Sequence, residues 1–229
     1  MQAVYLYGLK HELKSMKTII ISIVFIGLSF LIAKYSGSLS IILDSNGSSP
    51  AIQLMFLCYA FMGFLFSSIL FGGIVSKEVE TETLRYITPY LSRRKIYTAK
   101  YLITITYFLL VILLALIVVF SVRGVIVVPW RDLLSIIVFF LYIESVIIMV
   151  STISKNERTA TLVGIVLSLL FPAIFTVAYF RDNIFLDVID WLLPYRYLEG
   201  ENSWELLILL LLACAAFYVG MVIFERKEI

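Results

Sequence analysis

Six charge-free apolar runs, at about 18–36, 51–75, 101–122, 133–153, 160–180 and 206–224, occupy more than half of the 229 residues. About 20 apolar residues rising 1.5 Å each carry a helix across a bilayer, so each run is long enough to span. The remainder is too short for a second globular domain with its own core. One transmembrane domain over 1–229 is therefore expected. The runs are continuous rather than alternating, which excludes a β-barrel. Composition agrees: 62% of residues are hydrophobic and 15% charged, against roughly 45–50% and 25% in soluble domains. The expected fold is all-α, a polytopic membrane protein with six transmembrane helices.

The net charge of +2 says little until the charges are placed. Lys34, Arg123, Arg131, Arg181 and Arg196 fall on one side, and the other 13 of the 18 Lys and Arg fall on the opposite side. Basic residues favour the cytoplasmic side, so both termini are expected there, as an even number of crossings requires. The first run lacks a small-residue cleavage pattern and reads as a retained helix. Cys58 and Cys214 lie inside spans, where small apolar residues fit better than a disulfide framework. Asn46-Gly47-Ser48 reads as a turn.

The connections are unequal. The largest cytoplasmic one, 76–100, is dense in charge of both signs. Glu78, Glu80 and Glu82 stand early, where acids favour a helix N-terminus, and Arg85 stands late. Pro89 should end or kink that helix, and Ser92 can cap the next segment, which carries Arg93, Arg94, Lys95 and Lys100. Charge alone leaves two readings open, a solvated loop that sets topology or a docking surface. In the first 17 residues Leu6, Leu9, Leu13 and Met16 recur at helical spacing among Lys10, His11, Glu12, Lys14 and Lys17, so an amphipathic helix along the membrane surface is expected. The outer segment 181–205 is too short to cross; a re-entrant or interfacial element fits, with Trp191, Tyr195 and Tyr197 as interface aromatics and Pro194 as its break.

Glu144 is the ionisable residue deep within a span. A carboxylate at that depth costs on the order of 2.5–3.5 kcal/mol and must face protein or water. It is either a polar contact on a translocation path or a helix–helix bond through neighbours such as Tyr142 or Ser145. Pro172 should kink the fifth span. Gly63 with Ser67, and Ser68 with Gly72, give the second span a small-residue face for close packing.

None of the 11 glycines is followed by lysine, so there is no phosphate-binding loop of the GxxxxGK[ST] kind. One histidine, His11, excludes both an intramembrane metalloprotease and a serine–histidine hydrolase. An enzyme is not expected.

Several short motifs, taken in order, resemble a known family. Glu78, Thr83-Leu84, Pro89, Ser92-Arg93, Ile96 and Lys100 resemble the second-to-third-helix loop of ABC-2 type permeases. Ser151-Thr152-Ile153-Ser154-Lys155-Asn156 with Ala160 is similar to the family's fourth-to-fifth-helix turn, Leu193-Pro194-Tyr195 precedes the last helix, and Glu12-Leu13-Lys14 resembles the leading connecting helix. Two departures stand out: Glu82 occupies a position where glycine is usual, and the proline-to-serine spacing is one residue long. The resemblance implies an ATP-driven exporter of an amphipathic or lipophilic cargo, such as a peptide, an antibiotic or a lipid-like molecule, in a bacterial plasma membrane. It implies no cofactor on this chain, with ATP and Mg on a cytoplasmic ABC ATPase subunit, pairing with a second or related permease copy, contact with membrane lipids, and no nucleic acid. Within it, 1–17 would be the connecting helix and 76–97 the coupling loop. Glu78, Glu82, Arg85, Arg93 and Arg94 would supply charge to that loop, and Leu84, Tyr86 and Ile87 an apolar anchor. Readings from other classes are a secondary transporter or channel using Glu144, and a membrane immunity or scaffold protein.

Overall fold

The computed structural model describes residues 2–39, 50–124, 130–180, 188–199 and 203–227. Within these the chain forms α1 (Gln2–Leu13), α2 (Met16–Leu39), α3 (Pro50–Phe71), α4 (Ser76–Glu80), α5 (Leu84–Ile87), α6 (Arg93–Arg123), α7 (Trp130–Ile153), α8 (Glu157–Phe180), α9 (Arg196–Glu199) and α10 (Ser203–Arg226). Six helices are long and apolar enough to cross a membrane. The Asn46 turn lies outside the described residues.

The observed spans exceed the apolar runs because charged residues still make good helix formers at the ends. The third span shows this most: α6 begins at Arg93, so the basic stretch through Lys100 is its first two turns rather than a linker. Ser92 takes the extended N-cap conformation, but its side chain makes no cap bond. At the other end Gly124 adopts φ 67°, and its N–H bonds Phe120 O at 2.9 Å. Glycine holds that left-handed terminus without a Cβ clash. Helix α8 runs through Pro172, and it is capped by Asn156, whose Oδ1 accepts from Thr159 N at 3.0 Å.

Helices α3 and α7 form the centre. Helix α2 packs on α3 and α6, α8 packs on α3 and α7, and α10 packs along α7. Lipid tails are as apolar as leucine, so these contacts depend on close approach rather than on a hydrophobic drive. The small residues expected on the second span lie where that approach occurs. A Cβ added at Gly72 would stand 2.9 Å from Thr161 Cα, and one at Gly164 would stand 3.0 Å from Ser68 Cβ, so α3 and α8 nearly touch. On the neighbouring face Gly63 sits under the Phe140 ring and Ser67 faces α7. The aromatic residues interlock nearby: Phe25 meets Tyr59 edge-on at 4.6 Å, and Phe108 stacks on Phe140 at 4.4 Å.

Helix α1 lies against α6 through Gly8, which abuts Ile103, and through Tyr5 Oη, 2.9 Å from Thr106 Oγ1. Leu6 and Leu13 of the expected stripe are exposed on its other side, but the helix expected over 1–17 ends at Leu13, and Met16 begins α2.

The segment after α8 differs from expectation. Leu193, Tyr195 and Tyr197 are buried, and Tyr195 stacks on Phe61 at 5.4 Å. Tyr142 Oη donates to Leu192 O at 2.8 Å, and Tyr197 Oη donates to Trp191 O at 2.7 Å. Tyr195 and Tyr197 are therefore packing residues rather than interface anchors, because Pro194 turns the chain back onto α3 and α7. Trp191 stays half exposed, with the Arg196 guanidinium 4.7 Å above its ring.

Candidate functional site

The single helix expected between Ser76 and Pro89 is two short ones. Thr81 Oγ1 bonds back to Lys77 O at 2.9 Å, a local alternative to the helical ladder. Glu82 then takes φ 56°, the left-handed region, and is the non-glycine residue to do so among those described. A residue with a Cβ pays about 1–2 kcal/mol there. The resembled family usually has glycine at that position, so the departure in sequence and the strained backbone coincide.

Every side of this loop that faces the bundle is tied down. Ser151 Oγ accepts from Val75 N at 3.1 Å and Ser76 N at 3.2 Å, so a side chain of α7 caps the first turn of α4. Glu80 Oε2 accepts from Glu157 N at 2.9 Å, so α4 in turn supports the start of α8, where Lys77 also lies 4.0 Å from Glu157. Glu78 Oε1 accepts from Lys100 Nζ at 2.5 Å, joining α4 to α6. Leu84 is wholly buried with Val75, Ile96, Tyr97, Ile148 and Phe224, side chains of the loop, α6, α7 and α10.

The residues expected to serve the coupling loop thus divide. Glu78 and Leu84 turn inward: one is paired to Lys100 and the other plugs the second apolar cluster. Glu82 and Arg85 are mostly exposed and bridge one another at 2.9 Å. The side chains of Tyr86 and Ile87 lie outside the described residues. Arg93 donates to Glu225 O at 2.9 Å and Lys227 O at 2.6 Å, and Arg94 pairs with the Glu225 carboxylate. Lys227 Nζ donates to Thr152 O at 2.6 Å and Ser154 O at 2.9 Å at the end of α7, where burial holds its ammonium below the ordinary lysine value. Arg93, Arg94 and the chain end therefore form a clasp across the bases of α6, α7 and α10.

The outward face of the loop consists of Thr81, Glu82, Thr83, Arg85 and Tyr90, the last 86% exposed. Reading the sequence missed Tyr90 and the roles of Glu80 and Ser151, which it marks only as an early acid and as part of a motif. Tyr90 follows a proline in a turn, a signal for exposure; Glu80 and Ser151 act through residues more than 70 positions away, which local pattern does not reveal.

Glu144 is completely buried at the α3–α7 contact, where Ser67 Oγ donates to its Oε1. Thr104 of α6 stands beside the same carboxyl, and Oε2 has no hydrogen-bond partner among the described residues. The expected neighbour Ser145 bonds elsewhere, to Tyr101 Oη at 3.1 Å and Leu141 O at 2.8 Å, and Tyr142 bonds Leu192. The partner comes from another helix.

Among the described residues there is no group of three or more His, Cys, Asp or Glu that could hold a metal ion, and Cys58 and Cys214 are free. A family model described as ABC-2 type transporter matches residues 11–199. No curated protein matches the chain.

Proposed function

The chain belongs to the ABC-2 type transporter family, and on that premise we propose that it is the permease of an exporter whose separate cytoplasmic ATPase docks on the outward face of α4 and α5. The observation that carries this reading is the two-sided construction of the loop. Its inner side is fixed to α6, α7, α8 and α10, while Glu82, Arg85 and Tyr90 remain exposed. A force applied to the exposed side is passed to four helices through these contacts. Docking through a ring of charge around an aromatic anchor suits such a contact. Pairing of two permease chains completes the assembly, with both termini cytoplasmic. The cargo is an amphipathic or lipophilic molecule, which the aromatic interior favours.

Glu144 serves as a helix–helix bond rather than as part of the translocation path, a role supported by its complete burial and its bond to Ser67. The docking reading is tested by co-purifying the chain with its ATPase. Arg85→Glu combined with Tyr90→Ala is expected to release the ATPase by at least about tenfold, the size of losing one interface anchor, while membrane insertion stays normal. Undiminished capture would overturn the reading.

A further inference from the structure

At the end of the bundle that carries the loop, α1, α4 and α6 line a half-open cavity of about 510 Å³. Its lining changes character across its width. Val4, Tyr7 and Ile103 supply an apolar wall, while Lys77, Glu78 and Lys100 supply charge from α4 and α6, with Glu12 and His11 added by α1. Lys100 is nearly buried, and its partner Glu78 has a second oxygen, Oε2, that is buried without a hydrogen-bond partner. Turned toward the cavity, that oxygen would accept from a ligand's hydrogen-bond donor and lose its unpartnered state. Lys77 is largely exposed and holds Glu157 only at 4.0 Å, so its ammonium is available to an anion.

The two lysines and two glutamates of the lining cancel, which suits a ligand that carries both charges and disfavours a purely anionic one. The position matters too. Leu6, Tyr7 and Leu13 are exposed on α1, which suits a place at the bilayer surface and sets a cavity between α1 and the bundle at headgroup depth. We propose that this cavity binds the headgroup of an amine-bearing phospholipid, with its phosphate on Lys77 and Lys100, its ammonium on Glu78 and Glu12, and its glycerol end against Val4 and Ile103. The site is independent of the exported cargo and would make α1 and the coupling loop respond to the same lipid.

Purified, delipidated full chain in detergent is titrated with dioleoyl phosphatidylethanolamine, dioleoyl phosphatidylcholine or dioleoyl phosphatidylglycerol, and retained lipid is read by native mass spectrometry. Choline lacks an N–H for Glu78, and glycerol lacks the cation. Phosphatidylethanolamine is expected to be retained at about tenfold lower concentration than either, the effect of one charge-assisted hydrogen bond. Glu12→Gln weakens the ammonium site and Val4→Trp fills the cavity, and each is expected to abolish the preference, whereas Lys77→Ala removes a phosphate partner and is expected to weaken retention of all three lipids alike. Equal retention of the three lipids, a preference for phosphatidylcholine or phosphatidylglycerol, or an ethanolamine preference that survives Glu12→Gln or Val4→Trp would overturn the site.

Discussion

Two residues carry opposite kinds of cost. Glu82 pays for its backbone. Glycine there removes the Cβ that the left-handed region penalises, whereas alanine keeps it; both lose the exposed bridge to Arg85, worth only a few tenths of a kcal/mol, so it cancels between them. Glu82→Gly is therefore expected to leave the chain about 1 kcal/mol more stable than Glu82→Ala, measured as the difference in thermal unfolding in detergent; equal stabilities would remove the strain argument. Glu144 pays for its burial, offset by Ser67. Glu144→Ala leaves both a cavity and a hydroxyl without its acceptor, a loss of about 2–4 kcal/mol. Glu144→Gln keeps an acceptor for Ser67 and is expected to cost under about 1 kcal/mol and to leave transport intact. A transport defect in a stably folded Gln variant would restore the translocation-path reading.

At the scale of elements, the short helices draw their support from long ones. Helix α4 has five residues, far below the length at which an isolated helix is stable; Ser151 of α7 caps its first turn, and its own Glu80 caps the start of α8 in return. Glu80→Ala is expected to cost about 1 kcal/mol, the usual value of a lost cap. It should also raise hydrogen exchange at Glu157 and the residues after it. Unchanged exchange there would mean that α8 does not depend on the loop. The α7–α10 pair is similarly specific. A Cβ at Gly220 would lie 2.1 Å from Tyr97 Oη and 3.2 Å from Met149 Cα. Gly220→Ala must therefore displace Tyr97 from the cluster that holds Leu84, and loosening of the loop is the expected readout, seen as faster proteolysis after Arg85.

For the whole molecule, the peripheral helices are the informative ones. Buried side chains are few on α8 and α10, whereas more than half of the α7 span is buried, so a large apolar surface is left to lipid or to a second chain. A permease that pairs is expected to give a complex of two chains with two ATPases, read by mass photometry after gentle extraction. A complex with one permease chain would count against pairing.

The sequence by itself determined the number of spans, the all-α class and the family resemblance, because each rests on local quantities: run length, charge placement and motif spacing. It also located the glycine-to-glutamate departure at position 82, although not the backbone conformation behind it. Only the tertiary structure decided which loop residues face outward. Leu84 and Tyr86 are both apolar in sequence, yet the fate of Leu84 depends on Phe224 and Ile148 arriving from α10 and α7. The same holds for Arg93 and Arg94, which look like free cations in the chain and are held by a tail 130 residues away. Charge and hydropathy are properties of a residue, while exposure belongs to the packing of helices far apart in sequence. The side of the loop left for a partner therefore becomes visible only after the chain has folded against itself.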